Sequence, residues 1–314
     1  MAGAEPRGGA GRAGDGLDRA LRDGARRLAV AGIGSARTDV EMLAAHLMGV
    51  PRSQVTIAAV LGRPAPVGLD DLVERRARRV PLQHLTGTAA FRGLDLAVGP
   101  GVFIPRPETE QVAEVAIRAA QRRWTDHGAA TVVDLCTGSG AIALAVALEV
   151  PGAAVHAVEL DAAAYAWALR NVESLAEGPS RVDLRKGDAR TAFADLDRTV
   201  DVVVSNPPYI PSDAVPVDPE VRDHDPGVAL YGLGPDGLTV PRGVVDAAAR
   251  LLRPGGVLVM EHAEVQAAAV RAFVEATGLF RSVRTQIDLT GRDRMLVAER
   301  ADVARGSDVK DSRP

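Results

Sequence analysis

From Thr131 to Glu299, short apolar runs rich in β-branched residues alternate with Ala- and Leu-rich stretches of helical spacing. Strands are expected near 131–135, 154–159, 181–186, 201–205 and 256–261, with helices between the first three pairs and before the fifth. Two further apolar runs, near 281–287 and 294–299, read as terminal strands. Such alternation demands a parallel sheet with helices on both faces, an α/β architecture of Rossmann-like type. In open sheets of this kind ligands bind outside the carboxyl ends of the strands. Those ends are therefore where chemistry should be sought.

The strand ending at Ser205 runs directly into Asn206-Pro207-Pro208-Tyr209. Two prolines fix φ and lack an amide hydrogen, so the chain can neither extend the strand nor open an ordinary helix there. Asn206 precedes a proline and is pushed toward an extended conformation. The outcome is a stiff elbow. Asn206 offers an acceptor oxygen and an NH2 donor, Pro207 a carbonyl, and Tyr209 a flat ring. A planar group carrying an NH2 suits this set: acceptors grip its hydrogens while the ring packs on its plane. A rigid turn without function is the alternative.

A second motif, Asp134-Leu135-Cys136-Thr137-Gly138-Ser139-Gly140, follows the strand near 131–135 and opens into Ala141-Ile142-Ala143-Leu144-Ala145. Strand, glycine turn and helix in that order are what a nucleotide-type cofactor requires. Gly138 and Gly140 permit close backbone approach. Glu159, after the next strand and about twenty residues on, can accept both hydroxyls of a ribose. A dinucleotide loop would read G-x-G-x-x-G and aim a helix N-terminus at a pyrophosphate. Here Asp134 precedes the loop and no third glycine follows, which disfavours phosphates and suits a cationic amino-acid moiety. S-adenosylmethionine meets that description better than NAD. Asp188, beyond the third strand, is placed to accept a hydrogen bond from an adenine amine. Cys136, the only cysteine, is read as a small loop residue because no His partner lies nearby in sequence.

Residues 17–80 read as a bundle of short helices, with Leu17, Leu21, Ala25 and Leu28 on one face and Val40, Leu43, Ala44 and Leu47 on another. Thr38 and Asp39 are expected to cap the second helix. Arg75, Arg76, Arg78 and Arg79 read as a solvated helix face, the alternative being a docking surface for an acidic partner or RNA. Residues 81–106 are expected to link the domains through a hairpin that includes Val102-Phe103-Ile104, and Pro107 to open a helix. The methyl-transfer domain would then run over 107–300. Residues 1–16 and 301–314 are expected to be a disordered lead-in and tail.

A net charge of −4 argues against a free-standing nucleic-acid binder, and sequence-specific nucleic-acid binding is not expected. A single cysteine fits a reducing compartment and no Cys-rich metal site. No apolar stretch is long enough to span a membrane and no signal-peptide core is present, so a cytoplasmic protein is expected.

The chain resembles the release factor glutamine methyltransferases, the PrmC/HemK family, from about Leu17 to Glu299. The resemblance is carried by His84-Leu85-Thr86-Gly87, Ile104-Pro105-Arg106-Pro107-Glu108-Thr109-Glu110, the Asp134–Gly140 loop, Ser205-Asn206-Pro207-Pro208-Tyr209-Ile210 and Pro254-Gly255-Gly256. The Asn-Pro-Pro-Tyr elbow alone is shared with DNA adenine and RNA guanine methyltransferases; the Arg-Pro-Glu-Thr-Glu segment beside a helical N-terminal domain is more specific. The resemblance implies a class I methyltransferase domain with a small helical domain for docking the substrate. It implies methyl transfer from S-adenosylmethionine to the glutamine side-chain amide of the GGQ tripeptide in class I peptide-chain release factors. Cys136, Thr137, Gly138, Ser139 and Gly140 would line the cofactor, with Glu159 on the ribose, Asp188 and Ala189 at the adenine, and Asn206 touching both cofactor and substrate. Asn206, Pro207, Pro208 and Tyr209 would hold the glutamine. Two residues depart from the family: Cys136 stands where glycine is common, and Ala189 where a bulky side chain covers the adenine.

An amide nitrogen is a weak nucleophile, and these motifs contain no evident base. Asn206 and the Pro207 carbonyl are expected to orient it instead, with Tyr209 packed on its plane. Alternatives are a glutamine of a ribosomal protein, an exocyclic base amine, or a silent binding module that retains the cofactor fold. The acidic residues between Ile210 and Pro235 (Asp213, Asp218, Glu220, Asp223, Asp225) speak against nucleic acid.

Overall fold

The apolar runs of the second half form a seven-stranded sheet in a computed structural model that describes residues 16–175 and 182–302. A hairpin, β1 (Thr88–Phe91) and β2 (Leu94–Ala97), precedes it. The sheet strands are β3 (Ala130–Leu135), β4 (Ala153–Glu159), β5 (Val182–Lys186), β6 (Val200–Ser205), β7 (Leu252–Glu261), β8 (Phe280–Ile287) and β9 (Asp293–Arg300). Their order is β5-β4-β3-β6-β7-β9-β8, parallel from β5 to β7, with β9 antiparallel to both β7 and β8.

Uninterrupted apolar strands make sense because both faces are covered. Alternate residues enter opposite cores: Val132, Val204 and Val259 join one cluster, while Val133, Val203 and Leu258 join the other. The first core is closed by the helices Thr109–His127 and Ala141–Glu149, and the second by Thr239–Leu251 and Ala267–Ala276. From Ala141 through Ala147 the second of these helices is wholly buried, which its lack of a polar face requires.

The described residues from Gly16 to Gly87 belong to a separate compact unit, which also takes in 218–224 from the middle of the chain. Helices Leu17–Val30, Ala36–Met48, Arg52–Val60, Leu69–Ala77 and Leu82–Thr86 surround a core of Leu17, Leu21, Leu28, Val40 and Leu43. The second helix starts at Ala36, so Thr38 and Asp39 are not its caps. Asp39 is instead buried and receives Arg76 Nε at 2.7 Å. Arg76 also donates to Glu220 at 2.7 Å, and Glu220 accepts from Arg79 as well. Arg78 pairs with Glu74. The arginine cluster is thus largely an internal ion-pair network, with Arg76 at its buried centre.

Other boundaries differ from expectation. The segment 82–86 is helical and lies in the first unit, and the hairpin ends at Ala97. Val102 and Ile104 are buried without forming a strand, because Gly99-Pro100-Gly101, with Gly101 at φ +89°, turns the chain and Pro105 and Pro107 follow. The helix expected at Pro107 begins at Thr109. Residues 1–15 and 303–314, which hold nearly all of the expected lead-in and tail, lie outside the described residues, as does Arg181 at the expected start of the third strand. Gly16 pairs with Pro64 in an isolated bridge.

Replacing Arg76 with Ala leaves the buried Asp39 carboxylate without its guanidinium and Glu220 with Arg79 alone. Removing one member of a buried ion pair costs about 3–5 kcal/mol. Chemical denaturation of R76A is expected to show the helical unit destabilised by that order; an unchanged midpoint would show that the network contributes nothing.

Candidate active site

The sheet reverses its winding between β3 and β6, and a crevice opens where the direction changes. Register sets what faces it. Leu135 pairs with Val158 on one side and Ser205 on the other, so Cys136, Glu159 and Asn206 leave three neighbouring strands at one level. Glu159 pairs with Lys186, which brings Gly187 and Asp188 to the same edge. Ser205 also pairs with Met260, so Glu261 lies beyond it on the next strand. A cavity of about 460 Å³ occupies this edge, within the range of roughly 300–1,000 Å³ typical of small-ligand sites.

Cys136, Thr137, Gly138, Ser139, Glu159, Asp188, Ala189, Asn206, Pro207, Pro208 and Tyr209 all line that cavity. Gly140 does not; it is the N-cap of helix Ala141–Glu149, at φ +86°. Gly138, at φ +59°, has open space where a side chain would begin, so a ligand can approach its backbone. Cys136 sits at φ +65°, the conformation glycine adopts freely, and carries a strain of about 1–2 kcal/mol.

The Glu159 carboxylate accepts the Gly138 and Asp161 amides, both at 2.8 Å. Burial raises its pKa, against the opposing pull of these backbone donors. A buried carboxylate with lone pairs to spare favours a ligand that brings hydroxyl donors, as a ribose does. Asp188 is held below the usual carboxylate range by its hydrogen bonds to Arg190. Its oxygens are therefore already engaged. Ala189 is nearly buried, and Val158 and Leu160 supply apolar wall beside it. Asp134 is fully buried and does not line the cavity. It accepts Thr137 Oγ1 at 2.6 Å and the Ala143 amide at 3.1 Å, and so ties the loop to the following helix. Burial lifts its pKa to about 7.

The elbow is held from several sides. Ser205 Oγ donates to the Leu135 carbonyl, and Gln266 Nε2 donates to the Tyr209 carbonyl at 2.8 Å. Gly232 and Gly237 pass so close to it that a Cβ would meet the Pro208 oxygen at 2.6 Å and the Tyr209 oxygen at 2.3 Å. Asn206 Nδ2 donates to Thr109 Oγ1 at 3.3 Å, Thr109 Oγ1 donates to Glu261 Oε2 at 2.9 Å, and Tyr209 OH donates to Glu261 Oε1 at 3.3 Å. Burial pushes the Tyr209 phenol up, so it stays a donor.

Sequence reading missed several parts of this site. Phe103 and Pro105 line the cavity, with the Arg106 guanidinium 5.0 Å from the Phe103 ring centroid. Pro226, Val228, Leu230, Tyr231 and Leu233, from the long segment after the elbow, form an apolar wall. Thr109 and Glu261 carried no signal by themselves; only the Arg-Pro-Glu-Thr-Glu motif pointed toward the first. Burial pushes the Cys136 thiol up, which keeps it protonated and removes it as a nucleophile.

Comparison with known proteins agrees with this geometry. Residues 19–87 match the PrmC N-terminal domain and residues 115–218 the methyltransferase small domain. A release factor glutamine methyltransferase of Streptomyces coelicolor is 52% identical, over 88% of this chain and 95% of that one. A 4-amino-L-phenylalanine/4-methylamino-L-phenylalanine methyltransferase of Streptomyces pristinaespiralis is 42% identical, over 83% of this chain and 88% of that one. Among solved structures, the hMettl16 catalytic domain in complex with MAT2A 3′UTR hairpin 6 has a TM-score of 0.50 at 16% identity, covering 75% of this chain and 83% of that one, a likeness of fold alone. Sheet order, crevice and loop define a class I methyltransferase that uses S-adenosylmethionine. Within that class, the chain belongs to the release factor glutamine methyltransferase family.

Glu159→Ala is expected to weaken S-adenosylmethionine binding by about 1–3 kcal/mol, the cost of losing hydrogen bonds to a charged group. Calorimetry giving wild-type affinity would remove Glu159 from the cofactor site. The lone thiol reports on the same cavity from its other side. Alkylation of Cys136 at neutral pH should be slow and should slow further with S-adenosylmethionine bound; a rate indifferent to the cofactor would place it elsewhere.

Proposed function

We propose that this chain methylates the side-chain amide nitrogen of the glutamine in the GGQ motif of class I peptide-chain release factors, with Asn206, Pro207 and Tyr209 orienting the amide. Family membership supports the reaction, and the Asn206-Thr109-Glu261 chain supports the roles. Glu261 as a carboxylate can only accept, so Thr109 must donate to it; the Thr109 oxygen then accepts, and Asn206 must turn its NH2 toward it. Asn206, which lines the cavity, thus commits its NH2 to Thr109 and leaves its carboxamide oxygen out of this chain. That is the single observation on which the reading turns.

Bound S-adenosylmethionine supplies an electrophilic methyl group. Asn206 Oδ1 and the Pro207 carbonyl accept the two hydrogens of the substrate amide and aim its nitrogen at that methyl. Tyr209, fixed through its hydroxyl, packs on the amide plane. Orientation of this kind supplies several kcal/mol of rate enhancement. Cys136 to Ser139 and Glu159 hold the cofactor, with Ala189 against the base. The helical unit serves for docking the protein substrate, because a grip on one amide cannot select one glutamine among many. A release factor as partner supports a cytoplasmic reaction. Among the described residues no helix is long and apolar enough to cross a membrane.

Mass spectrometry of a release factor incubated with the protein and S-adenosylmethionine should show a single added methyl on the GGQ glutamine. Asn206→Ala should abolish that product while binding the cofactor with near wild-type affinity. Normal turnover by N206A would sink the orienting role. Methylation of 4-amino-L-phenylalanine in preference to the release factor would favour the aromatic amine instead.

A further inference from the structure

We propose that Glu261 is a positioning residue that sets, through Thr109, which end of the Asn206 carboxamide faces the substrate, and that it does so only as a carboxylate. This rests on the reading of Asn206 as the acceptor for the substrate amide. Glu261 lies outside the cavity lining and is fully buried, so it does not touch substrate or cofactor. Its two oxygens are nonetheless joined to both polar side chains of the elbow, one to Tyr209 and one through Thr109 to Asn206.

The donor sense of the chain follows from the charge. An ionised Glu261 forces Thr109 to donate to it and Asn206 to present NH2 to Thr109, with its oxygen outward. Protonation adds a donor at the buried end. The Glu261 hydroxyl can then donate to Thr109 Oγ1, whose hydrogen turns toward Asn206, and Asn206 meets it best with its oxygen. The NH2 now points into the cavity, where it opposes the NH2 of the incoming amide. Two donors face one another and the grip is lost. A buried polar relay of this kind has two arrangements, and one proton decides between them.

The surroundings place the switch near neutrality. Burial lifts the Glu261 pKa to about 7, and Glu108 before the helix adds to the rise, while Thr109, Arg294 and Tyr209 oppose it. Arg294, on β9 beside Glu261, is itself bonded to Asp288 at 3.1 Å, so its charge is shared. Arg106 also acts on Tyr209. Because the folded pKa lies above that of a free carboxyl, the productive carboxylate is present at higher pH and is lost as pH falls through about 7.

Two measurements test this, and the first needs no activity. The Asn206 side-chain NH2 signals, identified by their absence in Asn206→Asp, are followed by NMR as pH is lowered. They should shift with one midpoint near neutrality in the wild type and lose that step in Glu261→Gln. Signals that do not titrate, or that titrate alike in E261Q, overturn the proposal. The second measurement is the pH profile of kcat on a release factor. The wild type should lose kcat toward acid pH, and E261Q should lose this limb. Thr109→Val, nearly the same shape without the hydroxyl, should lower kcat by roughly ten- to a hundred-fold, with cofactor affinity changed far less, and Thr109→Ser should restore it. Wild-type kcat in T109V overturns the relay even if both proteins fold normally. If the NMR step is present but no release factor is methylated, the relay stands and the functional reading falls.

Discussion

The pairing of Leu135 with Ser205 between β3 and β6 is the constraint on which the rest of the site depends. Each strand is followed by a turn the sequence makes rigid, one by glycines and one by prolines. Parallel pairing in register brings both turns to the same height, and the change of winding direction keeps any helix from covering them. A slip of one residue would turn every side chain of β6 to the opposite face, exchanging Val203 and Val204 between two dissimilar cores. Burial on both faces therefore protects the geometry of the crevice. Ser205, wholly buried and bonded to the Leu135 carbonyl, adds a polar latch at the last paired position.

Carboxylates recur around this edge in different environments. Asp134 is buried behind the loop and holds it to its helix. Glu159 is buried at the rim with backbone amides for company and room for more donors. Asp188 is exposed enough to be neutralised by Arg190. Glu261 is buried behind the elbow. Burial drives the first, second and fourth toward the neutral form, and the guanidinium holds the third ionised. The local negative charge near the cavity is thus smaller than a count of acidic residues suggests. That eases the presence of a cationic cofactor beside an apolar wall without making the crevice a general cation trap.

The alternation of apolar runs with helical stretches was enough to place every sheet strand of the described residues to within a few residues. The signature is unbroken in central strands such as β3 and β6, buried on both faces, and weaker in the edge strands β5 and β8, whose polar residues reach solvent. The loop at Cys136–Gly140, the acid at 159 and the elbow at 206–209 were legible for another reason: glycine, proline and a carboxylate at fixed offsets have few structural uses. Thr109 and Glu261 were not legible. Each is an ordinary residue in its own neighbourhood, and their meeting depends on strand order, which no local pattern encodes. Asp39 misled for the same reason. An acid near a helix start looks like a cap until its partner, 37 residues away, is known. The apolar wall from Pro226 to Leu233 was hidden because loops have no period to read.

The capture of residues 218–224 by the helical unit has a consequence for how this protein can be taken apart. A segment from the middle of the chain supplies Glu220 to the arginines of the first unit, so the chain leaves the second unit and returns to it rather than completing one unit before the other. No single cut separates them. Removal of the N-terminal residues leaves Glu220 without Arg76 and Arg79, and expression of residues 1–87 alone leaves Arg76 with one carboxylate where it has two. Gene fusion, domain transplantation between relatives and truncation all treat the N-terminal helices as a detachable cassette. In this chain the cassette is completed from within the catalytic half, and a faithful transplant has to carry both pieces.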